Sequence, residues 1–183
     1  MTMSTITETK LPAGTWNADP VHSQVGFEVA YIVGTFRGTF SPFEATLEVR
    51  EDGTASLRGS TRVEGIRVQD ENLTAHLLSP DFFDAERAPE ITFSSDAIRV
   101  EGDSVAVEGE ISIKGTAQPL TLAGTITGAG QDAYGNERVG LTLAGVVDRT
   151  AFGIEWNNPL PSGEPALADD VALVAEVSFV RAA

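Results

Sequence analysis

The stretch Val25-Gly26-Phe27-Glu28-Val29-Ala30-Tyr31 sets its large apolar side chains at every second residue. All four therefore fall on one face of an extended strand. The same period runs on through most of the chain. Ala45, Leu47 and Val49 repeat it, as do Ala55 and Leu57, with Thr61 and Val63 beyond them. Val105, Val107, Ile111 and Ile113 form another set, followed by Leu120, Leu122 and Ile126. Val139, Leu141, Leu143 and Val147 come next, and Val171, Leu173, Ala175, Val177 and Phe179 close the series. Along Phe36, Phe40 and Phe43 the parity shifts around Ser41-Pro42, which predicts a bulge, because proline removes a ladder donor. The reading is eight or nine strands in an all-β chain.

Short turn sequences join these runs: Glu51-Asp52-Gly53, Glu101-Gly102-Asp103 and Lys114-Gly115-Thr116. Short turns make sequential strands antiparallel neighbours, hence a meander. Gly26, Gly38, Gly59, Gly109, Gly124, Gly140 and Gly145 fall inside predicted strands, where they permit the coiling that closure demands. A closed barrel is the favoured arrangement and a two-sheet sandwich the alternative. Eight strands enclose about enough room for one elongated ligand.

Two segments interrupt the meander. Between about 66 and 90, Asp70 can cap a short helix that places Leu73, His76 and Leu77 at helical spacing, and Pro80 soon ends it. Phe82 and Phe83 follow; adjacent residues cannot both take a strand's inward face, so they are expected at a barrel mouth. Between about 156 and 170 lies Asn157-Asn158-Pro159-Leu160-Pro161-Ser162-Gly163-Glu164-Pro165. A loop of that length commonly covers or rims a site. Residues 1–12 read as a flexible polar tail and 13–183 as a single domain.

The 27 acidic and 12 basic residues give a net charge of −15. Such a field argues against nucleic acid and anionic membrane surfaces as general partners. Absence of cysteine excludes disulfides, thiol catalysis and thiolate metal sites. No run approaches the ~20 apolar residues of a membrane helix, so an integral membrane protein is not expected. Residues 1–10 carry no apolar run of signal-peptide length, and the expected location is cytoplasmic.

Chemistry is sparse. Asp19, His22 and Ser23 invite a hydrolase reading, but residues this close on an extended chain leave opposite faces, and no Gly-x-Ser-x-Gly elbow is present. His22 and His76 are the whole imidazole supply and have no ligand-spaced partner, so neither a metal nor another cofactor is expected. What remains is apolar capacity. The positions expected to meet a ligand are Phe27, Val29, Tyr31, Phe40, Leu77, Phe82, Phe83, Phe93, Ile111, Ile113, Leu122, Leu141, Leu143, Phe152 and Trp156. Polar contacts to a headgroup are sought among His22, Arg37, His76 and Arg149.

Ordered short motifs connect these features to a family. Trp16 with Asp19-Pro20 and His22-Ser23 is followed by the Val25/Phe27/Val29 strand and Gly38-Thr39-Phe40. Then come His76-Leu77, Ser79, Asp81-Phe82-Phe83-Asp84, Pro89 and Ile91-Thr92-Phe93-Ser94. Gly109, Ile113, Gly115-Thr116, Pro119, Arg149 and Phe152-Gly153 complete the set. From about Gly14 to Val180 the chain thus resembles the YceI-like family. The resemblance implies a lipocalin-like, antiparallel up-and-down β-barrel with a short helical insertion. It also implies binding of polyisoprenoid or similar long-chain lipids, often as a homodimer, and no assigned enzyme activity.

Three positions depart from the family pattern: Leu78 stands where a basic residue is common, Thr74-Ala75 where Arg-Asp is frequent, and Asp148 where asparagine is usual. The expected function is non-covalent carriage or sequestration of a polyprenyl or quinone-type lipid. The alternatives are a small-molecule enzyme using His22, His76 or Arg149 in the cavity, and a ligand-free structural or stress-related dimer. Leu78 and the acidic excess together predict that a neutral headgroup binds at least as well as a phosphate.

Overall fold

A computed structural model describes residues 11–183. It contains eleven strand segments: β1 (Gly14–Ala18), β2 (Gln24–Tyr31), β3 (Gly34–Phe40), β4 (Phe43–Val49), β5 (Ala55–Arg62), β6 (Ile66–Val68), β7 (Glu90–Glu101), β8 (Ser104–Ile113), β9 (Thr116–Gln131), β10 (Glu137–Asp148) and β11 (Leu167–Arg181). One short helix, α1 (Thr74–Leu78), precedes β7.

The eleven segments make eight barrel staves, because the first three staves are each broken once. A 3-10 turn at Pro20–His22, capped by the Asp19 carboxylate accepting from Val21 N–H, separates β1 from β2. Ser41-Pro42 separates β3 from β4, where the sequence predicted a bulge, and Ser41 N–H donates to the carbonyl of Gly65 instead. A turn at Val63–Gly65 separates β5 from β6.

Every ladder is antiparallel, and the ring closes on β11. One edge of β11 pairs with β10; the other is shared by β2, with Val171 opposite Val29, and by β1, with Phe179 opposite Ala18. β1 also pairs with β4, completing a closed eight-stranded barrel rather than a sandwich.

Three register shifts escaped the sequence reading: between Arg138 and Gly140 in β10, between Leu167 and Val171 in β11, and one in β7. In β7 the register shifts between Ser94, opposite Glu110, and Ala97, opposite Glu108. Ser95 is buried at the bulge, its hydroxyl donating to the Glu108 carbonyl and accepting from Ala97 N–H. The apolar parity changes there from Ile91 and Phe93 to Ile98 and Val100, the signature of an inserted residue.

Two interior glycines are required by close approach. A Cβ on Gly38 would sit 2.6 Å from the Phe27 ring, and one on Gly109 would sit 2.7 Å from the Phe93 ring. The aromatic side chain covers the bare backbone of the neighbouring strand in both places.

One end of the barrel is solid. Trp16, Leu47, Val107 and Phe179 are almost wholly buried there, and the Trp16 indole N–H donates to the Pro12 carbonyl. Leu11 packs against the same core, so residues 11 and 12 belong to the barrel end rather than to a flexible tail. The rest of the expected tail, residues 1–10, lies outside the described residues.

An ionic cluster borders this end. Arg138 donates to Asp19 at 2.9 Å, to Asp132 at 2.8 Å and to the Ser178 hydroxyl at 3.2 Å. His22 and Arg138 bonded to one carboxylate lower the Asp19 pKa to about 2, and Arg138 holds the Asp132 carboxyl well below its ordinary range. Ser23 Oγ accepts from Ser178 N–H, while His22 Nδ1 sits 2.6 Å from Asp19. Those three residues therefore serve the wall at this end.

Both aspartates have folded pKa values below their unfolded ones. Their contribution to stability is complete above the ordinary value of 3.8 and is lost as pH falls toward about 2. Arg138→Gln is expected to be less stable at neutral pH, with a shallower loss of stability between pH 4 and 2. Thermal unfolding of both forms across that range checks this.

Candidate ligand-binding cavity

Beyond the solid end, the interior opens into a cavity of about 440 Å³. That lies within the ~300–1,000 Å³ usual for small-molecule sites. All fifteen apolar residues expected to meet a ligand line it. Ile154 and Leu167 also line it, and neither was named from the sequence. They flank the proline-rich loop, and their apolar character just outside its polar run was the available signal.

The mouth owes its shape to the segment after β6. Asp70 accepts from Asn72 N–H and starts a 3-10 turn, Glu71–Leu73, that runs directly into α1. Ser79 ends the helix, its hydroxyl donating to the His76 carbonyl at 2.6 Å. Phe83 N–H then turns back to the Leu77 carbonyl at 3.0 Å. The two adjacent phenylalanines consequently part.

Phe83 joins Phe27 and Phe40, edge-on to the latter with ring centroids 5.8 Å apart. Phe82 joins His76 at 4.9 Å and Trp156 at 5.3 Å. Lys114 ties this segment to the far side of the mouth, donating to the carbonyls of Pro80 and Gly153.

The polar candidates divide. His76 lines the cavity, its Nε2 lying 3.1 Å from Asp81 and its ring edge-on to Trp156. His22 does not face the cavity: it stands in solvent beside the ionic cluster at the solid end. Arg37 lies on the outer face of β3, paired with Glu28 at 3.1 Å. That placement follows from parity, since Phe36 on the one side of it turns inward.

Arg149 reaches the cavity wall but is already committed. A guanidinium has five N–H donors, and here each has an acceptor. Nε donates to Ala168 O; Nη1 to Ile154 O and Trp156 O; Nη2 to Leu167 O and, at 3.5 Å, to Asp169 Oδ1. The buried cation thus staples both ends of the loop over residues 153–166. It leaves no donor for a headgroup. Asp148, where the family pattern has asparagine, caps the turn beneath it by accepting from the Thr150 N–H and hydroxyl.

Residues 16–179 match the family model described as the YceI-like domain. The chain belongs to the YceI-like family. A UPF0312 protein of Staphylococcus epidermidis is 28% identical over 168 residues, which span 90% of this chain and 96% of that one. Among solved structures, Burkholderia cenocepacia BcnA superposes with a TM-score of 0.74 at 22% identity, over 88% of this chain and 98% of that one. A polyisoprenoid-binding domain from Saccharophagus degradans, implicated in plant cell wall breakdown, gives 0.65 at 9% identity, over 91% and 98% of the two chains. These structural likenesses establish a shared YceI-like barrel. No described helix is long and apolar enough to cross a membrane.

Replacing Arg149 by methionine would remove donors from four carbonyls at once, those of Ile154 and Leu167 buried and those of Trp156 and Ala168 partly so. The expected cost is about 3 kcal/mol or more, with partial rescue by lysine, which cannot span the same acceptors. Chemical denaturation of Arg149→Met and Arg149→Lys measures both.

Proposed function

We propose that this protein binds a long-chain isoprenoid lipid non-covalently inside the barrel, as a carrier or sequestering host. The observation that supports it most is the cavity itself: an aliphatic and aromatic space, open at one mouth, whose buried cation among the described residues, Arg149, is already taken up by four backbone carbonyls and Asp169. The Saccharophagus degradans likeness supports the same class of ligand. His22 and Arg37 face away from the cavity and Arg149 has no free donor, which favours binding without covalent chemistry.

Tail recognition dominates the energetics. Each buried methylene contributes about 0.8 kcal/mol, so a five-carbon isoprene unit is worth roughly 3–4 kcal/mol before binding costs. One charge-assisted hydrogen bond to a headgroup adds about 1.5–3 kcal/mol. A few isoprene units therefore outweigh the head. With Arg149 committed and Leu78 in place of a basic residue, a neutral head such as a quinone suits the mouth at least as well as a phosphate.

The proposal places the protein in the cytoplasm, where a free isoprenoid tail needs a host. It also includes a homodimer, for which exposed Val146 and Val174, on the adjacent strands β10 and β11, offer an apolar outer patch. Light scattering tests this, and a monomer at every concentration refutes the dimer.

Native mass spectrometry and solvent extraction of the purified protein are expected to reveal a co-purified long-chain lipid. Titration with a quinone and a polyprenyl phosphate of equal tail length, followed by tryptophan fluorescence, is expected to show no phosphate preference. Leu141→Trp, which fills the cavity, should weaken both ligands at least about tenfold. Retention of full affinity by that variant would place the ligand elsewhere and overturn the reading.

A further inference from the structure

The β2–β3 hairpin ends in a two-residue turn, Ile32-Val33, with both side chains in solvent. Ile32 is 53% exposed and Val33 fully exposed. Hairpin tips of this length favour Gly, Asn and Asp, which suit the backbone and are readily solvated. Here Ile32 holds φ = 53°, a left-handed conformation that β-branched residues rarely adopt. Its N–H donates to the Ala166 carbonyl at 2.8 Å, which anchors the turn against the proline-rich loop. Neither side chain joins the described core clusters, so folding gives no reason for an apolar tip in this conformation.

The tip stands at the cavity mouth. Tyr31 beside it, and Leu73 in the turn before α1, are each more than a third exposed and also line the cavity. Apolar side chains therefore lead from the tip, through the adjacent Tyr31, into the interior. Between Glu28 and Arg37, eight consecutive residues carry no charge. At about 3.3 Å per residue, the arm from Glu28 to the turn rises roughly 13 Å. Interfacial protein elements enter a membrane by about 5–10 Å. The tip can reach the shallow part of that depth while the Glu28–Arg37 ion pair stays in water and Asp169 and Asp170, exposed on β11 between the partners of Tyr31 and Val29, stay at the headgroup level.

We propose that Ile32-Val33 is a membrane-docking tip. It enters the interface of a lipid bilayer and holds the cavity mouth against the surface from which an isoprenoid tail is drawn or to which it is delivered. This inference rests on the carrier reading. The charge of −15, with Asp70 and Glu71 near Leu73 at the rim, opposes an anionic surface, so the fitting bilayer is zwitterionic. Continuity of the apolar tip with a lipid-sized cavity favours a bilayer over a partner protein.

Flotation of the ligand-free protein with phosphatidylcholine vesicles tests the tip directly. The double variant Ile32→Asn with Val33→Asp is the comparison, since asparagine tolerates the positive φ and neither residue lines the cavity. Wild type is expected to float with phosphatidylcholine, and less with phosphatidylglycerol at low salt. The variant should partition at least about tenfold more weakly. Its affinity for geranylgeraniol, measured without vesicles, should equal that of wild type. Failure of the wild type to float, or equal flotation of the variant, overturns the docking role. Failure of both forms to bind geranylgeraniol strikes the carrier reading instead, and is scored independently of flotation.

Discussion

Closure of the sheet on β11 is the constraint from which the rest follows. That strand gives one edge to β10 and divides the other between β1 and β2, so the ring closes, and only the three-residue β6 at the mouth ends the ladder order. With the backbone paired around the circumference, the interior needs no polar groups and can be left apolar. An eight-stranded ring is also wide enough that its side chains need not meet in the middle. Trp16 and Phe179 fill it at one end. At the other, the rings of Phe27, Phe40 and Phe83 line the space without filling it.

The two ends divide the tasks of stability and access. Charged groups pinned by Arg138 gather at the solid end, next to the densest packing. The mouth is built from short, irregular segments: α1, the turn through Phe82 and Phe83, and the loop over 153–166. Two cations organise those segments mainly through backbone carbonyls, with Asp169 the one carboxylate that Arg149 also meets. Arg149 does so from inside the wall and Lys114 from the surface. A cation bonded chiefly to carbonyls fixes loop geometry, and the one carboxylate it meets, Asp169, lies out in solvent.

Much of this was legible in the sequence because alternation carries both strand and face. Val25 to Tyr31, Val105 to Ile113 and Val171 to Phe179 each declared which residues turn inward, and the apolar cavity residues follow from that. The parity that marked Phe36 as inward also marked Arg37 as outward, so the headgroup role sought for Arg37 conflicted with the sequence's own pattern. The bulge at Ser95 was equally present as a parity change between Phe93 and Ile98. Arg149 was different in kind. Its acceptors lie on Ile154, Trp156, Leu167, Ala168 and Asp169, brought together by the folded loop, and no local spacing announces carbonyl oxygens. His22 was misplaced because a turn residue has no alternation to assign it a face.

The rings of Phe27 and Phe93 rest on Gly38 and Gly109, where even one extra carbon would collide. Aromatic groups seated on backbone in this way have little rotational freedom left. In host–guest terms the host is stiff, and adaptation falls to the guest. A flexible polyene or alkyl chain can bend through many low-energy shapes to follow a fixed wall, whereas a fused-ring molecule of equal volume cannot. Selectivity in such a barrel would then be exercised against rigidity, admitting supple chains of varied length and excluding compact planar ones.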